Sequence, residues 1–140
     1  MNAKAFLDTN IIVYAFDHTH PRKAKIAQQL IASGVAEKTS VISYQVVEEF
    51  INVALRGFRV SIQSVDLESF LMKALFPMTV VQWTPSLTIQ ALRLQATHQI
   101  SWWDALIVGA ALQSGCRLLY SDDLHHGQRF GALTVENPFG

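Results

Sequence analysis

Acidic residues stand beside apolar runs at four places along this sequence. They are Asp8 in FLDTNI, the pair Glu48 and Glu49, Asp104 in SWWDAL, and the pair Asp122 and Asp123. The chain has only 11 acidic residues, so this placement indicates that negative charge is gathered in one region. Such a cluster is destabilised by mutual repulsion unless a cation or a shared proton offsets it. Because hard divalent cations prefer carboxylate oxygens, we predict a magnesium or manganese site.

Length and charge limit the kind of protein in which that site lies. The 140 residues, half of them apolar, are enough for one domain with its own core and too few for two, so we expect a single domain over residues 1–140. The 11 Lys and Arg residues balance the 11 acidic ones, which gives no global positive field. Any affinity for nucleic acid must therefore come from local patches.

Cysteine usage and hydropathy indicate the compartment. Cys116 is the only cysteine, which excludes an internal disulfide and a cysteine-rich zinc site and agrees with a reducing cytoplasm. The first residues form no basic and apolar leader, and no apolar run approaches the roughly 20 residues that span a bilayer. We expect a soluble, cytoplasmic protein with no membrane partner.

Strand and helix patterns alternate along the chain. The strands are predicted at residues 4–7, 39–42, 79–83, 117–120 and 132–135. The helices are predicted at residues 22–33, 44–56, 64–76, 85–98 and 102–114. This alternation predicts an α/β fold in which helices cover both faces of a mostly parallel sheet, giving three layers.

Capping and stop residues set the predicted helix ends. Ser43, Thr84 and Ser101 are predicted N-caps, and Pro85 takes the first helical position after Thr84. The predicted stops are Gly34, Gly57, Pro77 and Gly115.

The predicted topology brings the acids to one edge. Ligand sites of parallel sheets lie beyond the carboxyl ends of the strands, and both Asp8 and the pair Asp122 and Asp123 follow predicted strands. Asp104 is the third residue of a helix, where the dipole favours a carboxylate. Each acid also has a structural alternative: Asp104 completes a capping pattern with Ser101, and the others suit ordinary turns. Together they match a magnesium site, and two such ions would support hydrolysis of a phosphodiester.

Four segments resemble the ordered motifs of PIN-domain ribonucleases. They are FLDTNIIVYAFD, ISYQVVEEFINVALR, ISWWDALIVGAAL and LLYSDDLHHGQRF, and they span nearly the whole chain. The closest resemblance is to VapC-type toxins of bacterial toxin–antitoxin modules. It implies a PIN fold, magnesium-dependent endonucleolytic cleavage of RNA, a homodimer, and an antitoxin protein that blocks the site.

The resemblance also assigns site residues. Helical periodicity leaves Glu48 and Glu49 equally displaced from the apolar face, whereas the family pattern Q-x-x-x-E-F matches Gln45, Glu49 and Phe50. The family pattern S-x-D likewise favours Asp123 over Asp122. The resemblance implies four catalytic acids, which are Asp8, Glu49, Asp104 and Asp123. All of them except Glu49 are implied to bind the metal. It also implies two supporting polar residues, Asn10 and Ser121.

Other chemically active residues have weaker interpretations. The histidines at 18, 20, 125 and 126 are interpreted as solvated or substrate-side, since no cysteine accompanies them. Trp102 and Trp103 suit a core or dimer contact better than stacking on RNA bases. For the cations at 22, 23, 25, 56 and 59, phosphate contact and a solvated surface are equally favoured.

A non-catalytic domain and an aspartate-based phosphatase or receiver domain are the alternative functions. A non-catalytic RNA-binding or regulatory domain of the same fold would lack some of the acids, and none is missing. An aspartyl-phosphate phosphatase usually pairs two aspartates as D-x-D, where this chain has Asn10, and a receiver domain is the related alternative. The apolar content further predicts a dimer interface that includes residues 64–76 and 22–33.

Overall fold

A six-stranded sheet forms the centre of the computed structural model, which describes residues 4–57, 59–60 and 62–140. The strand order is β3-β2-β1-β4-β6-β5, and every pair is parallel except β5 with β6. The strand bounds are β1 Ala5–Leu7, β2 Ser40–Ser43, β3 Thr79–Val81, β4 Leu118–Tyr120, β5 Arg129–Phe130 and β6 Leu133–Glu136. The mostly parallel sheet flanked by helices confirms the predicted α/β class.

The helices lie in the connections that lead from β1 to β4. They are α1 Thr9–Tyr14, α2 Pro21–Glu37, α3 Tyr44–Arg56, α4 Ser64–Phe70, α5 Phe76–Met78, α6 Pro85–His98 and α7 Trp102–Gln113, and a π-helical segment, Leu71–Leu75, joins α4 to α5. None of the described helices combines the length and apolar character needed to cross a membrane.

The core lies between the sheet and its helices. Phe6 and Leu7 on the central strand β1 are fully buried, as are Ile12 on α1, Phe50 on α3 and Leu119 on β4. Helix α1 packs against both α2 and α3, and α6 packs against α7. Because β1 is flanked by β2 and β4, its carboxyl end is enclosed on both sides.

Most predicted helix ends are confirmed. The Thr84 hydroxyl accepts a hydrogen bond from the Leu87 amide (3.1 Å), and the Ser101 hydroxyl accepts one from the Asp104 amide (3.1 Å). Gly57 ends α3 with φ of 73°, in the left-handed region that glycine tolerates. Ser43 is the N-cap residue of α3 as predicted, but its buried hydroxyl makes no hydrogen bond with any described residue.

Gly34 does not end α2 as predicted. The helix continues to Glu37 and ends at Lys38, which takes the left-handed conformation with φ of 57°. A Cβ at Gly34 would overlap the side chain of Ser40, so glycine serves here to bring α2 close to β2. Gly34 therefore looks like a helix stop in the local sequence, but tertiary packing is what requires a glycine at this position.

Pro77 is also not a stop. It lies within α5, in the first turn after the π-helical segment, where its missing N–H is tolerated. Two short elements, α1 and β5, were not predicted. Helix α1 has only six residues, four of which are β-branched (Thr9, Ile11, Ile12 and Val13), so its local pattern gives no helical period. Strand β5 has only two residues.

The close approach at Gly34 generates a stability prediction. Gly34→Ala should lower the free energy of unfolding by about 1–3 kcal/mol because of overpacking, although alanine favours a helix over glycine by about 1 kcal/mol. Urea unfolding measures this difference. In a Ser40→Gly background the same change should become neutral or stabilising, and a stabilising effect in the wild-type background would contradict the packing argument.

Candidate metal centre and active site

Asp8 lies at the carboxyl end of β1, where it caps α1. Its backbone N–H donates to the Tyr120 carbonyl (3.0 Å), and its Oδ1 accepts from the Thr9 amide (2.7 Å). The side chain is buried, with 5% exposure. The capping alternative is therefore confirmed for this residue, since one carboxylate oxygen caps the helix, while the other accepts a hydrogen bond from Ser121 at the neighbouring strand end.

Ser121 joins the ends of β1 and β4. Its hydroxyl donates to Asp8 Oδ2 (2.9 Å) and accepts from the amides of Asp123 (3.1 Å) and Leu124 (3.4 Å). The side chain is fully buried. This hydroxyl therefore sets both the orientation of the Asp8 carboxylate and the path of the chain that leads to Asp123.

Asp104 reaches the same place from the N-terminus of α7. The Ser101 hydroxyl caps its amide, while its own carboxylate makes no protein hydrogen bond among the described residues. Ligand oxygens of Asp8, Asp104 and Asp123 lie within 4.8 Å of one another. Over the part of the chain that the structure describes, this is the only group of three or more such residues, and it includes no histidine.

Asp123 is paired with Asn10. The Asn10 Nδ2 donates to both carboxylate oxygens of Asp123, at 3.2 and 3.1 Å. Asp123 is exposed at the rim, whereas Asp122 does not line the cleft described below. The structure thus brings Asp123, rather than its neighbour, to the other two aspartates.

Glu49 lies on the wall formed by α3. Its Oε1 accepts from the Thr9 hydroxyl (2.8 Å) and from Gln45 Nε2 (3.2 Å), and Gln45 also donates to the Trp103 carbonyl (3.3 Å). Glu48 is exposed and does not line the cleft. The packing of α3 therefore places Glu49, the residue that the family pattern favoured, at the cleft.

These side chains surround an open cleft of about 280 Å³. Trp103 is 58% exposed and borders it, so the core interpretation fails for this residue, while Trp102 packs against the core. Sequence reasoning did not assign roles to Thr9, Gln45 or Asn52. The signals were present, because Thr9 follows Asp8 directly and the other two flank Glu49 on α3. The lining residues are Asp8, Thr9, Asn10, Gln45, Glu49, Asn52, Val53, Trp103, Asp104, Ile107 and Asp123.

No ion pair among the described residues involves the carboxylates of Asp8, Asp104 and Asp123. Burial raises the pKa of Asp8 to about 7, and the charges of Asp123 and Asp104 add to this rise, against hydrogen bonds from Ser121 and Thr9. Partial burial raises the pKa of Asp123 most, repulsion from Asp122 and Asp104 adds to the rise, and the Asn10 hydrogen bond and the charge of Arg59 oppose it. Three converging carboxylates in a polar cleft are the donor set that Mg²⁺ or Mn²⁺ prefers, so the residues fit a divalent cation.

Comparison with known proteins gives one family and several similar folds. The family model described as PIN domain matches residues 5–128. A toxin–antitoxin complex from Klebsiella pneumoniae has a TM-score of 0.67 at 17% identity, covering 96% of this chain and 98% of that one. The sarcin–ricin loop cleaving toxin VapC20 of Mycobacterium tuberculosis has a TM-score of 0.63 at 20% identity, covering 84% of this chain and 88% of that one. VapBC2 from Rickettsia felis, bound to a promoter DNA fragment, has a TM-score of 0.61 at 21% identity, covering 94% of this chain and 96% of that one. No curated protein matches the sequence.

The raised pKa of Asp8 generates a pH prediction. Asp8 is protonated in the folded, metal-free protein over a range in which it is ionised in the unfolded chain, whose pKa is 3.8. The free energy of unfolding should therefore fall by a few kcal/mol as pH rises from about 4 to about 7. Urea unfolding in EDTA across this range tests it. Asp8→Asn should flatten this decline, whereas Asp66→Asn, a control at an exposed position, should not. If the free energy of unfolding falls equally with pH in the wild type and both variants, the argument is refuted.

Proposed function

The chain belongs to the PIN-domain family, and we propose that it is a magnesium-dependent endoribonuclease, the toxin of a toxin–antitoxin module. The observation that supports this most is the convergence of Asp8, Asp104 and Asp123 in an open cleft beyond the carboxyl ends of parallel strands. We also propose that residues 1–140 form a single domain.

The proposed metal ligands are the three aspartates. Asp8, Asp104 and Asp123 would hold Mg²⁺, and Mn²⁺ would fit the same oxygen donors. When bound, the ion supplies positive charge that polarises a phosphodiester and stabilises the charge developing on its oxygens. Ser121 and Asn10 support the ligands, since they donate hydrogen bonds to Asp8 and Asp123 without bringing a competing charge.

Glu49 is proposed to act on the attacking water. Its Oε1 is held by Thr9 and Gln45, which leaves Oε2 with no protein hydrogen bond among the described residues. That oxygen would accept a proton from a water in the cleft, as a general base. Glu49 thus completes the catalytic set with the three aspartates.

RNA is the proposed substrate. The similar fold of VapC20, a toxin that cleaves the sarcin–ricin loop, supports this class, and the balanced net charge means that binding rests on local groups. Trp103 is exposed beside Asp104 and would offer a face on which a base stacks. The proposed setting is the cytoplasm, where the RNA substrate is found.

An antitoxin and a second copy of the chain are the proposed protein partners. The similar folds include toxin–antitoxin assemblies from Klebsiella pneumoniae and Rickettsia felis, which supports an antitoxin. A basic antitoxin side chain placed against Asp8 and Asp104 would replace the charge of the metal. For the dimer, Val65 and Met72 on the predicted 64–76 segment are exposed, whereas the described part of 22–33 has no large exposed apolar side chain.

Cleavage by variants tests the proposed site. The purified protein should cut structured RNA only when magnesium is present, and Asp8→Asn should abolish the activity because a ligand charge is lost at constant volume. Glu49→Gln and Asp123→Asn should each reduce the rate about 100-fold or more. Mapping new 5′ ends and measuring single-turnover rates would quantify these losses.

The neighbouring acids provide matched controls. Glu48→Gln and Asp122→Asn remove the same charge one residue away and should leave the rate within a few-fold of wild type. Equal losses within either pair would contradict the assignment. RNA binding without cleavage in the presence of magnesium would instead indicate a non-catalytic domain.

Association and inhibition give a further prediction. Light scattering of the pure protein should show a dimer, and the product of the neighbouring gene should inhibit cleavage less as magnesium is raised, because both compete for the same acids. A monomer at every concentration would contradict the dimer, and inhibition that does not depend on magnesium would contradict the competition.

A further inference from the structure

Arg59 lies beside the acidic site without lining its cleft. Its Nε is 3.5 Å from Asp17 Oδ2, and its Cζ is 4.8 Å from the centroid of the Tyr14 ring. Its Nη1 donates to Asn10 Oδ1 at 3.5 Å. The guanidinium is therefore held from one side by a carboxylate and an aromatic ring, and it directs a donor toward the residue that pairs with Asp123.

Asp17 is a fixed anchor for this guanidinium. Only 2% of its side chain is exposed, and its oxygens accept from the Thr19 amide (3.0 Å), from the Thr19 hydroxyl (2.6 Å) and from His20 Nδ1 (3.0 Å). Burial raises the pKa of Asp17, but these hydrogen bonds outweigh it and lower the pKa to about 2. Asp17 is consequently ionised at neutral pH, and it attracts Arg59 from a defined position.

The Asn10 amide has opposite charges at its two ends. Its Nδ2 faces the carboxylate of Asp123, and its Oδ1 faces the guanidinium of Arg59. A flipped amide would direct its oxygen at the carboxylate and its N–H groups at the cation, and both contacts would be repulsive. The two charges therefore favour one orientation even though the link to Arg59 is long.

We infer that Arg59 is a positioning residue that acts through Asn10 to hold Asp123 toward Asp8 and Asp104. The inference rests on the proposed metal site and extends it by a second layer of residues, Asp17 and Arg59, that do not bind the ion. Outer partners of this kind orient metal ligands, and their loss typically weakens metal binding about 10- to 100-fold.

Manganese binding in the absence of RNA is the measurement that tests this inference. Arg59→Gln should weaken Mn²⁺ binding by about tenfold in calorimetry, because the loss of positioning outweighs the gain in affinity from removing a positive charge near Asp123. The control Arg56→Gln removes the same charge from an exposed position at the end of α3 and should leave the affinity unchanged. Equal affinities in the two variants would overturn the inference. They are also the result expected if Arg59 contacts only RNA, because such a role would leave Mn²⁺ binding intact.

A double-mutant cycle tests the path through Asn10. Asn10→Ala should weaken Mn²⁺ binding, and adding Arg59→Gln to it should cause no further loss, because the positioning effect has already been removed. Additive losses would overturn the inference. If Arg59→Gln does not fold, Arg59→Lys retains a charge beside Asp17, and its cycle with Asn10→Ala decides by the same criterion.

This design separates two kinds of failure. Wild-type protein that binds no Mn²⁺ would contradict the proposed metal site itself. Wild-type binding that matches Arg59→Gln would contradict only the positioning role.

Discussion

Repulsion among three converging carboxylates is the constraint on which the rest of this site depends. Asp8 is buried, and Asp104 and Asp123 approach it with no cation among their hydrogen-bond partners in the described residues. Bringing them together requires the central strand β1, its neighbour β4 and the N-terminus of α7 to meet at one edge. The free energy of the fold must therefore offset both the burial of the Asp8 carboxylate and this repulsion until a proton or a cation is bound.

The hydrogen bonds at the site orient the acids without neutralising them. Asp8 accepts from a serine hydroxyl and a backbone amide, Asp123 from an asparagine amide, and Glu49 from a threonine hydroxyl and a glutamine amide. Every one of these donors is uncharged, so each fixes a carboxylate while leaving its negative charge available. A lysine at the same position would orient the group equally well but would compete with a metal ion.

Local sequence patterns predicted the strand ends and the helix cap that position the acids, whereas other features of the site depend on contacts between residues far apart in the chain. Strand ends beside Asp8 and Asp123 and the Ser101 cap beside Asp104 were readable, because each depends on residues adjacent in the chain. Helical periodicity left Glu48 and Glu49 open, and the family pattern favoured Glu49, which is the one that the packing of α3 places in the cleft lining. The role of Gly34 depends on Ser40, and that of Arg59 on Asp17 and Asn10, so neither follows from neighbouring residues.

The two buried aspartates near the cleft differ in their surroundings, and the difference distinguishes their roles. Asp17 contacts Arg59 and His20 and accepts hydrogen bonds from Thr19, and its pKa is lowered to about 2, whereas burial raises the pKa of Asp8 to about 7. Asp17 is thus fully compensated by the protein itself, and this suits a structural anchor. Asp8 is left with neutral partners and acidic neighbours, so its ionised form carries a free-energy cost that a proton or a bound metal cation would remove.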